Sequence, residues 1–179
     1  MNIVSRVMWG AAPNKISALP KLGSVRSITI HRTETPDKDP TPGPKRVFNI
    51  QAYHQKSRGF SDIGYHYLIG QDGTVYEGRE EHLVGAHTSE HNMNNLGIAV
   101  MGTNEFPSAQ MSALLDLVGR VADKHGLPDE PFNYLLGHRE WDGVNTDCPG
   151  DLLMDWLIKV RTGKICVPRQ KQLDQSRSV

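Results

Sequence analysis

Residues 62–79 read DIGYHYLIGQDGTVYEGR. The apolar run Ile63–Ile69 and the run Thr74–Gly78 flank Gln71-Asp72-Gly73, and an Asp-Gly pair accepts the positive φ of a tight turn, so the stretch predicts a β-hairpin. Downstream, LGIAVM at 96–101 is a short apolar strand of the kind buried centrally in a sheet. Upstream, VRSITIH at 25–31 is β-branched and alternating, a strand that ends on a histidine. Pro36, Pro40, Pro42 and Pro44 with Gly43 form a loop between these strands. Pro44 suits the first turn of a helix in which Val47, Ile50, Tyr53 and His54 recur at helical spacing. Ser108 is placed to cap a helix running to His125, with Met111, Leu114, Leu115, Val118 and Val121 as its buried stripe and Gly126 as its stop. Tyr134–His138 (YLLGH) reads as another strand ending on histidine. Asp151–Arg161 reads as a helix with Leu152, Leu153, Trp156, Leu157 and Val160 inward and Gly163 beyond its end. The pattern predicts a single α/β domain: a central mixed sheet of about five or six strands flanked by three helices, without internal repeats.

The composition limits the possibilities. At 179 residues the chain is one ordinary domain, large enough to fold without disulfides, and two cysteines make no disulfide framework. Twenty basic against twenty acidic groups argue against a nucleic-acid partner, which favours a basic excess. No apolar run is long enough to span a membrane, and MNIVSRVMWG has no secretory pattern. The balanced charge is uneven along the chain: residues 1–160 hold 15 basic and 19 acidic groups, residues 161–179 five and one. The expected division is a folded domain over 1–163 and a basic tail, or the start of a linker, over 164–179.

His31 and His138 each end a strand, where open α/β sheets place their sites. Cys148 follows in the run TDCPG. Two imidazoles and a thiolate form a three-ligand zinc set with the fourth position left for water or substrate. Taken singly, each has a plainer reading as a polar cap on a strand or a small buried thiol. Spacing does not choose, since no C-x-x-C or H-x-x-x-H pair is present.

The surrounding text adds a resemblance. Trp9-Gly10-Ala11, ITIHRT (28–33), IQAYH (50–54), the 62–79 block, VGAH (84–87), NLGIAVMG (95–102), LGHRE (136–140) and TDCPG (146–150) follow one another over about 140 residues. In that order they are similar to the amidase-2 family of zinc-dependent N-acetylmuramoyl-L-alanine amidases, which includes phage lysins and peptidoglycan recognition proteins. The resemblance implies a peptidoglycan recognition protein-like fold and one Zn²⁺ per chain on His31, His138 and Cys148. It implies Tyr65 and Thr146 as catalytic residues and His87 and Asn92 as substrate-binding residues. Arg32 stands where many relatives have a second histidine, and Thr146 where some phage enzymes have lysine. Ala99 and Met101 are the candidates for a strand position that carries a catalytic glutamate in some branches. His54 and His66 are expected to be buried and hydrogen-bonded, and His82, His91 and His125 to be at the surface. Cys166 has no assigned work.

The implied reaction is hydrolysis of the amide bond between N-acetylmuramic acid and L-alanine, with bacterial peptidoglycan as partner. The lack of a visible signal peptide suits a phage endolysin made in the host cytoplasm before release to the wall, or an excised domain of a larger lysin, and a monomer is expected. Two other classes remain at this stage. One is a non-catalytic peptidoglycan-binding module, whose members generally lack the cysteine ligand. The other is a cysteine peptidase with Cys148 as nucleophile and His138 as base.

Overall fold

The strands β1 (Ile3–Val4), β2 (Ser27–Arg32), β3 (Tyr67–Ile69), β4 (Val75–Glu77), β5 (Asn95–Val100) and β6 (Leu135–Gly137) form one sheet in the order β1-β4-β3-β5-β2-β6. This arrangement comes from a computed structural model that describes residues 2–15 and 19–169. Only β3 and β4 pair antiparallel; every other neighbouring pair is parallel. The mixed sheet is the predicted one, and the hairpin turns at Gly73, whose φ of +83° needs a residue without a Cβ. Ile63–His66 do not join the ladder. That segment is held by Arg79, whose buried guanidinium donates to the carbonyls of Ile63 (2.8 Å) and Val84 (2.6 Å), while its amide donates to Tyr65 O (2.7 Å).

Three helices cover the sheet, α2 (Gly43–Lys56) on one face and α3 (Ser108–His125) and α4 (Asp151–Arg161) on the other. Alternation along the strands sorts the side chains. Ile28, Ile30, Leu96, Ile98 and Val100 pack with α3 and α4, whereas Leu68, Ala99 and Met101 pack with Val47 and Ile50 of α2. Thr29 and His31 alternate with Ile28 and Ile30, which leaves them off the α3–α4 face. Gln110 fastens α3 to the ends of two strands by donating to Ile69 O (2.9 Å) and Met101 O (2.8 Å).

The structure departs from the sequence reading at several places. Pro107, not Ser108, occupies the N-cap of α3, and Ser108 is the first helical residue. Leu152 is 58% exposed and Tyr53 54%. Each lies about 100° or more around its helix from the centre of the buried stripe, so the inward placement expected of Leu152 does not hold and Tyr53, though at helical spacing, falls outside the stripe. The N-terminal strand β1 and the short helix α1 (Arg6–Trp9) were not foreseen. They extend the sheet beside β4, and Trp9 is buried in the α2 layer, donating to Glu77 O at 2.7 Å. The first residues of the expected tail are packed rather than solvated. Ile165 and Val167 rest on the core, and buried Arg169 pairs with Asp123 at 2.7 Å and donates to the carbonyls of Pro128 and Leu127. The rest of that tail, 170–179, lies outside the described residues.

Two histidines brace the loops around the sheet. His66 Nδ1 accepts from Gly97 N (2.9 Å) while Nε2 donates to Leu83 O (2.9 Å), and His54 Nδ1 accepts from Gly64 N (3.0 Å). Burial lowers both to about 4 from a usual 6.5. Unfolding therefore takes up protons, so this stability is complete above pH 6.5 and is lost as pH falls toward 4. Denaturant titrations across that window should show unfolding free energy falling by up to about 1.4 kcal/mol per pH unit for each histidine. A flat profile would contradict the assignment. Arg169→Ala should cost about 2–3 kcal/mol, because it strands the hydrogen-bond partners of a buried guanidinium; a loss below about 0.5 kcal/mol would show that the segment contributes little.

Candidate metal centre

The pairing of β2 with β6 sets Ile30 opposite Gly137, so the next residues, His31 and His138, leave adjacent parallel strands at the same edge. Their rings lie 4.5 Å apart between centroids. Cys148 arrives from the loop before α4. That loop is tied to the turn at His138–Glu140 by Arg139 N donating to Cys148 O (2.9 Å), and the Arg32 amide donates to Cys148 Sγ at 3.4 Å. One ligand atom from each of His31, His138 and Cys148 falls within 4.8 Å of the others, and His31 Nδ1 is 3.7 Å from Sγ. A tetrahedral zinc ion separates its sulfur and nitrogen donors by roughly 3.5 Å, so the spacing and the donor chemistry fit that ion.

The electrostatics agree with a ligand role. Burial, reinforced by the neighbouring imidazoles His87 and His138, holds His31 well below its ordinary pKa, and burial lowers His138. Both rings are therefore neutral at pH 7, as metal ligands must be. Burial pushes the Cys148 thiol up to about 11. Without a cation beside it, that thiol stays protonated.

The cluster opens onto a cleft of about 900 Å³. Tyr65 and Thr146 line it, as do His87 and Asn92. The half-buried Tyr65 ring stands 5.2 Å from that of His31, and burial raises its phenol, which remains protonated. Thr146 Oγ1 accepts from Cys148 N at 3.2 Å. His87 is buried with Nδ1 3.1 Å from His31 Nε2, and Asn92 Oδ1 accepts from the amides of His87 (2.8 Å) and Thr88 (2.9 Å). Ala99 and Met101 are fully buried in the α2 layer. Glu34, ion-paired with Arg32 at 3.3 Å, is the one carboxylate among the described lining residues.

Of the other histidines, His54 and His66 are buried and hydrogen-bonded as expected, and His82 is exposed. His91 and His125 are not free surface groups. His91 stacks on Trp141 at 4.8 Å, and His125 pairs with Glu81. Trp141, overlooked in the sequence, donates from Nε1 to Thr29 Oγ1 at 2.9 Å and so ties the loop after His138 to β2. Its signal was available: a large aromatic three residues beyond a candidate ligand, in the run LGHREW.

Comparison with known proteins agrees with this geometry. The sequence model of the family described as N-acetylmuramoyl-L-alanine amidase matches residues 21–151. A pig protein named N-acetylmuramoyl-L-alanine amidase is 38% identical over 182 residues, covering 93% of this chain and 30% of the pig protein. The chain thus spans under a third of the length of that relative. Among solved structures, a variant of Drosophila PGRP-LB in complex with tracheal cytotoxin superposes with a TM-score of 0.72 at 30% identity, covering 83% of this chain and 88% of that one. N-acetylmuramoyl-L-alanine amidase LysC from Clostridium intestinale gives 0.71 at 28% identity, with 91% and 98% covered. With the family match spanning most of the sequence and the same fold in these relatives, the chain belongs to the N-acetylmuramoyl-L-alanine amidase family.

Proposed function

We propose that this chain is a zinc-dependent hydrolase that cuts the amide bond between N-acetylmuramic acid and the first L-alanine of the peptidoglycan stem peptide. The observation that carries the reading is the convergence of His31, His138 and Cys148 at a cleft that also presents Tyr65. Zinc bound by these three residues would supply Lewis acidity toward the amide carbonyl and a water of lowered pKa. The chain's own groups do the rest. The neutral Tyr65 phenol is a hydrogen-bond donor for the oxygen that gains charge as the carbonyl becomes tetrahedral. Thr146 adds a hydroxyl to the same wall and, through its bond to Cys148 N, fixes the loop that carries the thiol. Nothing acidic projects from β5, which carries Ala99 and is followed directly by Met101.

Peptidoglycan as partner is supported by PGRP-LB, a relative of the same fold solved with tracheal cytotoxin. The non-catalytic alternative is disfavoured by the complete donor set. The cysteine peptidase alternative is disfavoured by the thiol itself, which burial keeps protonated instead of poising it as a nucleophile. One ion per chain and a monomeric state are part of the proposal. An origin as a phage lysin, held in the host cytoplasm until release to the wall, is likewise part of the proposal.

Cys148→Ala should fold, judged by circular dichroism, yet lose stoichiometric zinc in metal analysis and all wall lysis in a turbidity assay. Full lysis by that variant would sink the proposal. Tyr65→Phe should retain zinc while its turnover falls about 10²–10³-fold, the usual loss on removing an oxyanion donor. An unchanged rate would leave Tyr65 as a packing residue only.

A further inference from the structure

His87 sits in a slot prepared by two glycines. A Cβ on Gly97 would stand 2.6 Å from His87 Cγ, and one on Gly85 would stand 2.4 Å from its Cδ2. No side chain larger than hydrogen fits at either place while the imidazole stays where it is. The ring nitrogens then meet fixed partners. Nε2 is 3.2 Å from the carbonyl oxygen of Asn95, and Nδ1 is 3.1 Å from His31 Nε2 and 3.0 Å from Thr88 Oγ1.

These contacts point to one arrangement of the protons. A carbonyl oxygen accepts only, so His87 Nε2 carries the hydrogen and Nδ1 of the neutral ring is an acceptor. His31 Nε2 faces that acceptor at 3.1 Å and can bond it only by donating, while the Thr88 hydroxyl beside it is free to turn its hydrogen elsewhere. The single proton of neutral His31 is thereby placed on Nε2, and its Nδ1, the atom 3.7 Å from Cys148 Sγ, presents a bare lone pair to the other two donors. The opposite assignment sets two acceptors against each other at Asn95 and puts a hydrogen on His31 Nδ1, where it would block ligation.

The acceptor is itself anchored. Asn95 Nδ2 donates to His91 O (2.8 Å), and Asn95 Oδ1 accepts from Thr29 Oγ1 (2.9 Å), which in turn accepts from Trp141 Nε1 (2.9 Å). This chain of bonds runs from the partner of one histidine ligand to the loop of the other.

We propose that His87 is a positioning residue of the metal centre: its unprotonated Nδ1 accepts from His31 Nε2 and fixes the tautomer that offers His31 Nδ1 to the ion. The inference rests on the zinc reading given above and assigns His87 work beyond lining the cleft. Partners of this kind commonly change metal affinity by about 10–100-fold.

The test combines tautomer spectroscopy with zinc affinity. Long-range ¹H–¹⁵N correlation spectra of the metal-free wild-type protein should show both His31 and His87 protonated at Nε2. His87→Leu, which removes the acceptor, should leave His31 in mixed tautomers and weaken zinc about 10–100-fold in competition with a chromophoric chelator. His87→Asn places an amide oxygen near the position of Nδ1 and should restore most of the affinity. A proton on His31 Nδ1 in the wild type would overturn the proposal without any variant, so a Leu variant that fails to fold does not shield it. Undiminished zinc affinity in His87→Leu would overturn it equally. If wild-type protein binds no zinc, the metal reading fails, while the spectra still decide the hydrogen bond.

Discussion

The register of β6 on β2 is the constraint on which the site depends. His31 and His138 are more than a hundred residues apart, and they meet because Ile28 pairs with Leu135 and Ile30 with Gly137 in a parallel ladder. Parallel pairing sends both strands out at one edge, so the residue after each last pair emerges at the same level. A slip of one residue would turn a histidine to the opposite face. Burial favours that register over its nearest rival: Ile28, Ile30 and Leu135 are fully enclosed against α3 and α4, and a one-residue slip of either strand would turn its apolar side chains away from those helices.

Burial also decides the chemistry at the edge. His31, His66 and His87 are packed together with little solvent, and none of them can carry a charge at low cost. Each is therefore a neutral ring whose two nitrogens differ in role, one donating and one accepting. The hydrogen-bond pattern thus transmits orientation from backbone carbonyls to the open nitrogen of His31. The glycines of VGAH and LGIAV serve this packing more than any turn, since they let imidazoles approach the backbone closely.

The sequence was informative where periodicity or turn chemistry is local. The Asp72-Gly73 hairpin, the helix capped by Gly126, the strand that carries His31 and the strand that precedes His138 follow from spacing and from glycine's tolerance of positive φ. The three candidate ligands follow from residue type and from the family resemblance. Spacing could not choose them, because their convergence is set by strand order, which a sequence does not display. Contacts made across the fold were the least legible. Trp141 bonding Thr29, Arg169 reaching back to Asp123, and β1 adding to β4 each join segments far apart in the chain. The exposed Leu152 and Tyr53 mark another limit, since a helix edge can carry an apolar residue that borders a cavity without belonging to the core.

Two questions are decided together: which bond is cut, and what the cluster at the sheet edge contributes. Mass spectrometry of purified peptidoglycan after digestion tests it most directly, with the protein zinc-loaded, chelator-treated and zinc-restored. Stem peptides with a free N-terminal L-alanine and peptide-free glycan strands should appear, be lost on chelation and return with zinc. Products that keep the muramyl-alanine linkage, or the same products in undiminished yield after complete metal removal, would contradict it.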